Sequence, residues 1–399
     1  MRAGGGWLLA AGSLSWAVAQ WFLFWMFARF AGGPEAVGAY SLVLSIATPV
    51  FTLTQVGLRT VYLSFSINYP WRSFVVLRLV GLLSASALLA AFFASVGIAD
   101  TGLWIAILVL KIADLYFDIL QARIQRGGRL AALGLLNVIN SAATVIAAGL
   151  VVWATGSVTA AIYASAVVSG LVAIAAQRLA LQQTFTPVVE VSGYGPIFRA
   201  GMPTALSEAL ASLANYLPII LLARIAEESR VGVYSTAAYL LTVANLVGAI
   251  AKNVLITTFR LTVEQEGFRP LLQRTHKIAL ALGALALGAA PVIILSGDPV
   301  LRWVYGDGFG MSQGELAVLA VATLPIAPGY IYSTALNVLN RFTSQAWSWG
   351  IVFVLGILAG AVCLISDVDD LSVALAVAAT LSWARLAVVV GLTLRAGRR

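Results

Sequence analysis

Ala28-Arg29-Phe30-Ala31 followed by Val37-Gly38-Ala39-Tyr40-Ser41 returns as Ala223-Arg224-Ile225-Ala226 followed by Val231-Gly232-Val233-Tyr234-Ser235. In each copy the phrase joins one long apolar segment to the next. Arrays of short repeats recur every 20 to 50 residues, whereas this spacing is nearly half the chain, as in transporters built from duplicated bundles. The same offset pairs Thr48 with Thr242, Phe65 with Phe259 and, less closely, Arg59 with Asn253. The duplication therefore predicts two halves with one plan and a function that lies between them.

Both halves read as membrane-embedded. Hydrophobic residues make up 61% and charged residues 10% of the chain, with a mean hydropathy of +0.95; a soluble domain is about 25% charged. Apolar windows long enough to cross roughly 30 Å of hydrocarbon fall near residues 7–31, 38–66, 74–97, 102–122, 130–154, 157–180, 199–224, 232–260, 277–296, 314–339, 348–366 and 370–395. The first resembles a secretory signal, with Ala17-Val18-Ala19 as a cleavage site, but the apolar run continues through Trp21-Phe22-Leu23-Phe24-Trp25 and reads as a retained span. The expected fold is an all-α polytopic membrane protein of about twelve transmembrane helices in two pseudo-symmetric six-helix lobes around a central cavity. Residues 1–180 form the first lobe, the polar stretch 181–197 the linker, and 198–399 the second lobe. Six spans per lobe is an even number, so the lobes relate by an axis along the membrane normal.

The net charge of +8 is distributed by side. Arg2, Arg72, Arg123, Arg126, Arg129, Arg178, Arg199, Arg269, Arg274, Lys277, Arg341, Arg398 and Arg399 fall at or between alternate span ends. The opposite connections carry Glu35, Asp100, Glu227, Glu228, Asp298, Asp307, Asp367, Asp369 and Asp370, with Arg230 and Arg302 as exceptions. The bias predicts cytoplasmic termini and linker and argues against nucleic acid as a partner. One cysteine, Cys363, excludes an internal disulfide, and with the single His276 it leaves no metal cluster of the usual type. No Gly-x-x-x-x-Gly-Lys-Ser/Thr pattern occurs, so ATP hydrolysis is not the expected energy source. No connection offers a nucleophile with a base, so no enzyme is expected, and no cofactor is implied.

Polar residues inside the spans are the candidate site, because ionisable groups in hydrocarbon are costly and face a cavity or a partner by default. In span two, Ser45, Thr48, Thr52, Gln55 and Arg59 would share one face of a continuous helix. Arg59 then either lines the cavity or snorkels to the surface. Span four carries Lys111, Asp114 and Asp118 on one face; the first two can neutralise each other, leaving Asp118 to couple an ion or to compensate Arg59. Span seven offers Thr204, Glu208 and Asn215, and span eight Ser235, Thr242, Asn245 and Lys252. Glu208 either binds a coupling proton or Na⁺ or pairs with Lys252. Arg385 in span twelve has no evident local partner. Arg29 and Arg224, the repeated pair, sit at span ends as a mouth gate or as snorkelling cations, and His276 reads as a solvated span end. Prolines 49, 203, 218, 291, 325 and 328 interrupt spans, and bends at the second, seventh and tenth would open one end of a cavity. Counted together, Arg59, Lys111, Lys252 and Arg385 outnumber Asp114, Asp118 and Glu208, which favours an anionic substrate.

Gly38-x-Tyr40-Ser41 and its copy at Gly232, Gly57-Leu58 in span two, and Val304-Tyr305-Gly306 followed by Phe309 resemble the polysaccharide-exporter flippases of the multidrug/oligosaccharidyl-lipid/polysaccharide (MOP) superfamily. The resemblance spans the chain and implies movement of an undecaprenyl-pyrophosphate-linked oligosaccharide across a bacterial cytoplasmic membrane for surface polysaccharide assembly. The partners it implies are the lipid-linked substrate, membrane lipids, and a polysaccharide polymerase or glycosyltransferases. It also implies a cationic cavity, in which Arg59 best fits the lining role. On the two-lobe plan Arg59 would hold the head group with Gln55 and Thr52 beside it, Lys252 and Arg385 would contribute field, and Glu208, Asp118 and Asp114 are the candidates for ion coupling. The lipid II branch normally has two further spans after the twelfth, which places this chain nearer the exporters. The alternatives are a drug/cation antiporter resembling the multidrug and toxic compound extruders, and a non-transporting scaffold of a glycan synthase.

Overall fold

Without water to satisfy peptide groups, a chain this apolar must hydrogen-bond its backbone internally, and every long apolar window is helical. The computed structural model describes residues 3–64, 69–96, 100–182, 193–339, 341–366 and 368–396. Phe65, residues 183–192 of the expected linker, and the charges Arg2, Asp367, Arg398 and Arg399 lie outside the described residues. The α-helices are α1 (Ala3–Phe30), α2 (Pro34–Thr54), α3 (Leu58–Ser64), α4 (Trp71–Val96), α5 (Thr101–Arg126), α6 (Leu130–Thr155), α7 (Val158–Leu181), α8 (Gly195–Ile225), α9 (Glu228–Ala237), α10 (Tyr239–Glu266), α11 (Phe268–Tyr305), α12 (Gln313–Thr323), α13 (Ile326–Val338), α14 (Phe342–Ile365) and α15 (Asp370–Ala396). A short 3₁₀ turn covers Asp307–Phe309. With α2–α3, α9–α10 and α12–α13 each taken as one interrupted span, the described helices make twelve segments, and ten stretches are long and apolar enough to cross a membrane.

Two units emerge. The first comprises Met1–Ala36 and Ile46–Ala209, the second Val37–Ser45 and Leu210–Arg399. In the first, α1 packs on α6, α6 on α7, α7 on α5, and α5 on α3 and α4. Phe117, Leu120 and Ile124 of α5 meet Leu133 of α6 and Ala173, Ala176 and Ala180 of α7; the small residues let the backbones approach, which matters because lipid removes the hydrophobic drive between helices. In the second unit α10, α11 and α15 gather on α13, where Ile331, Tyr332, Ala335 and Leu336 are buried against Phe259, Leu271 and Val389. Within this unit the two copies of the repeated phrase touch: a Cβ on Gly38 would stand 1.9 Å from the Glu228 carbonyl oxygen and 3.2 Å from the Gly232 nitrogen. Tyr40 and Tyr234, with Ser41 and Ser235, are buried.

The helix interruptions differ from the proline-based expectation. Span two does not break at Pro49, which α2 accommodates, but at Gln55–Gly57, where Val56 (φ 52°) and Gly57 (φ 54°) are left-handed. The broken end is held by two glycines on neighbouring helices. A Cβ on Gly81 of α4 would lie 2.3 Å from the Thr54 carbonyl oxygen, and one on Gly201 of α8 would lie 1.8 Å from that of Val56. Span seven, despite Pro203 and Pro218, continues unbroken through α8. Span ten does break, at Leu324–Pro325.

Helix α12 begins with a reciprocal cap. Ser312 Oγ accepts from the Glu315 backbone N–H at 3.3 Å, and Glu315 Oε2 accepts from the Ser312 N–H at 2.6 Å, satisfying two donors the helix leaves free. Ser312→Ala is expected to cost about 1 kcal/mol, measurable as a small drop in thermal midpoint of the purified protein with no change in oligomeric profile.

Candidate functional site

The break at Gln55–Gly57 redirects the chain, so the polar residues of span two do not form one continuous stripe as expected. Thr52 ends on α2 with its hydroxyl donating to the Thr48 carbonyl at 2.8 Å, Gln55 sits in the break itself, and Arg59 starts the separate helix α3. The reorientation aims Arg59 at α5. Its Nη1 donates to Asp118 Oδ1 at 2.6 Å, and its Nη2 to Gln125 Oε1 at 3.1 Å. A longer contact, 3.4 Å, reaches Gln121 Oε1. Asp118, Gln121 and Gln125 follow one another at helical spacing along α5, so one face of that helix receives the guanidinium.

The other oxygen of Asp118 has a second cation that the sequence reading missed. Arg78, two turns into α4, donates from Nη2 to Asp118 Oδ2 at 3.1 Å. It is 1% exposed, against 35% for Arg59 and 23% for Asp118. Its Nε and Nη1 have no protein hydrogen-bond partner among the described residues. Glu208 of α8 lies within electrostatic range of the same guanidinium. The signal was present as one arginine inside Phe74-Val75-Val76-Leu77-Arg78-Leu79-Val80; with no polar neighbour at helical spacing, it made no stripe to notice. Including Arg78, five deep cations stand against three deep carboxylates in the earlier inventory.

Beyond Gln125 the same end of the unit is lined by guanidinium on aromatic rings. Arg126 donates to the Tyr62 carbonyl at 3.0 Å and stands 4.9 Å from the Tyr62 ring centre, while Arg123 stands 4.8 Å from that of Trp71. Tyr62, Trp71 and Phe74 pack edge to face at 4.9–5.2 Å. Stacking fixes the orientation of a guanidinium.

The remaining candidates are distributed differently. Lys111 and Asp114 are electrostatic partners on α5, one turn apart, with Ser169 of α7 beside the carboxylate; they form a pair separate from the Arg59 cluster. In the second unit Lys252, on α10, has no ion-pair partner among the described residues. Arg385 of α15 does have local partners, contrary to the sequence reading. It donates to Ser348 Oγ of α14 and to Ser333 Oγ of α13 and stacks 4.2 Å from the Trp349 ring centre. Gln345 extends this cluster by donating to the Ser333 carbonyl and to Asn337 Oδ1. These residues are far apart in sequence and meet only when three helices pack. Arg29 and Arg224 are exposed near the ends of α1 and α8. His276 is not simply solvated, because its Nδ1 is hydrogen-bonded to the Tyr332 hydroxyl, tying α11 to α13. No group of three metal-ligating side chains occurs among the described residues.

The arrangement can hold an anion through Arg59, whose side chain is partly exposed, and it occupies Asp118 with two arginines. Comparison with known proteins agrees with a transport fold. The chain is 22% identical over 321 residues to the capsular polysaccharide biosynthesis protein CapF of Staphylococcus aureus, covering 78% of this chain and 79% of that one. Its fold superposes on the lipid II flippase MurJ in an inward closed conformation with a TM-score of 0.70 at 13% identity, covering 98% of this chain and 87% of that one. An outward-facing multidrug resistance MATE transporter of the MOP superfamily gives 0.66 at 12% identity, covering 98% and 95%. Ten helices long and apolar enough to cross a membrane, in a fold shared with these proteins, make the chain a multi-pass membrane protein, and the family model described as polysaccharide biosynthesis protein matches residues 26–312, so the chain belongs to that family.

Proposed function

We propose that the protein is a flippase that moves an undecaprenyl-pyrophosphate-linked oligosaccharide from the cytoplasmic to the periplasmic leaflet of a bacterial inner membrane, with both termini cytoplasmic. Two lobes, residues 1–180 and 198–399, would alternate access to a shared cavity. The carrying observation is the pairing of Arg59 with Asp118 beside a second, buried arginine. An arginine whose side chain is partly exposed and which already holds a carboxylate oxygen through one nitrogen suits a phosphate oxygen. Arg123 and Arg126, stacked on aromatic rings one to two turns further along α5, supply a basic approach to it. Thr52 and Gln55 at the helix break, and Lys252 and Arg385 in the second unit, are the proposed contributors to head-group contact and field. Glu208 is proposed to answer to a coupling ion, and Arg29 and Arg224 to guard a mouth, while Asp118 and Asp114 are each matched to a cation. Membrane lipids surround the prenyl tail, and a polymerase or glycosyltransferase is the proposed source or recipient of the glycan.

The cation-antiporter alternative needs a carboxylate available to its substrate, yet Asp118 carries an arginine on each oxygen and Asp114 has Lys111 as its electrostatic partner. For a scaffold of a glycan synthase, the expected consequence of losing the protein is an incomplete glycan. Depletion in the native host separates these readings. The flippase reading expects complete lipid-linked oligosaccharide to accumulate in the cytoplasmic leaflet, and truncated intermediates with normal leaflet distribution would contradict it.

A further inference from the structure

The two arginines on Asp118 are not equivalent. Arg78 is sealed inside the first unit, and its only hydrogen bond among the described residues is the one from Nη2 to Asp118 Oδ2. Arg59 is 35% exposed and holds Asp118 through the other oxygen, at 2.6 Å, with amide oxygens of Gln125 and Gln121 as further acceptors. Arg78, whose Nε and Nη1 have no protein hydrogen-bond partner among the described residues, has Asp118 as its hydrogen-bonded carboxylate, with Glu208 within electrostatic range only, and a buried charge that loses its partner is strongly unfavourable. Arg59 can exchange one anion for another without leaving any group buried and unpaired. The pair is therefore asymmetric, with Asp118 anchored by Arg78 and offered to Arg59.

Resting on the flippase reading, we infer that Asp118 is a resident counter-anion that competes with the substrate's pyrophosphate for Arg59, and that Arg78 is the positioning residue that retains Asp118 when the exchange occurs. The guanidinium is then matched to an anion in both the empty and the loaded site, since carboxylate and phosphate oxygens use the same fork. A site of this kind binds its head group less tightly than a bare arginine would, and the returning carboxylate assists release. Binding that is equally strong before and after translocation would slow turnover, because a carrier gains from affinity only where the two states differ. Gln125 and Gln121 fit the same scheme: as neutral acceptors they orient Arg59 without opposing an incoming anion.

The test uses the detergent-purified full chain with inorganic pyrophosphate for affinity, and proteoliposomes with a polyprenyl-pyrophosphate-linked sugar for leaflet transfer. Asp118→Asn should bind pyrophosphate about tenfold more tightly or better while transferring the lipid-linked sugar more slowly than the parent protein. Because Asp118→Asn strands a buried arginine, the charge-balanced double variant Arg78→Met with Asp118→Asn is measured beside it, with the same expectation. Simultaneous gain of affinity and loss of rate is a signature that a purely structural ion pair does not produce. Unchanged or weaker pyrophosphate binding in the folded variants overturns the inference, and so does loss of folded protein in both, which would make the carboxylate a structural requirement. Arg59→Ala separates loss of the site from loss of the competition. Pyrophosphate binding that survives it removes Arg59 from the proposed site altogether, whereas binding that depends on Arg59 but not on Asp118 removes only the competition.

Discussion

Arg59→Ala is expected to lower leaflet transfer of a pyrophosphate-linked sugar by on the order of a hundredfold or more, with little effect on the amount of folded protein. Truncating one member of a hydrogen-bonded charge pair costs about 2–5 kcal/mol, and each 1.4 kcal/mol is tenfold. The fold should survive because Asp118 keeps its second partner, Arg78, and because Arg59 is partly exposed rather than sealed in the core. Arg59→Lys retains the charge but loses the planar fork that reaches Asp118 and Gln125 together, so it should fall between the parent and the alanine variant. Transfer rates are read in proteoliposomes matched for incorporated protein. Full transfer by the alanine variant at normal expression would remove Arg59 from the mechanism.

Gly201→Ala should produce the largest loss of folded protein of any single methyl addition considered in the first unit. The added Cβ would lie 1.8 Å from the carbonyl oxygen and 3.0 Å from the carbonyl carbon of Val56, and both are backbone atoms. They cannot turn aside as a side-chain end would, and Val56 already holds a left-handed conformation that a β-branched residue seldom adopts. Moving this segment away from α8 would also shift Gly57, which lies against the Gly201 carbonyl and Thr204, and with it the helix that carries Arg59. Overpacking of a rigid contact commonly costs about 1–3 kcal/mol and more when the backbone must move. The expected result is a strong drop in monodisperse protein on size exclusion and a lowered thermal midpoint. Gly170→Ala is the matched control, since a Cβ there meets nothing within 4 Å; helix propensity favours alanine by up to about 1 kcal/mol, so that variant should be neutral or slightly stabilised. Equal behaviour of the two variants would mean that α8 does not hold the break.

These cases show which parts of the molecule were legible in the sequence. The helical segments were readable because each is encoded locally: an apolar run of membrane length, bounded by polar or charged residues, has few other structures available in lipid. The break in span two was not. Pro49 carried the local sign of a break, yet the helix passes through it, while Gln55-Val56-Gly57 is interrupted where α4 and α8 each offer a glycine. That feature belongs to three helices together and has no signature in any one of them. The site divides in the same way. Asp118 as a counter-charge for Arg59 was one of the readings left open by span four, beside an ion-coupling role, once Lys111 and Asp114 were set against each other on one face. Arg78 lay alone in an apolar run, and only the approach of α4 to α5 gives it meaning. Arg385 looked unpartnered because Ser333, Ser348 and Trp349 come from two other helices.

In the proposed mechanism the arginine-centred cluster serves an anionic, lipid-linked head group. The most direct measurement is leaflet transfer in proteoliposomes containing the purified chain, offered a polyprenyl-pyrophosphate-linked sugar in one arm and a fluorescent organic cation under an imposed proton gradient in the other. Movement of the lipid-linked sugar, abolished by Arg59→Ala, with no movement of the cation, is the predicted result. Movement of the cation alone would contradict the account and assign the site to the carboxylates instead of the arginines.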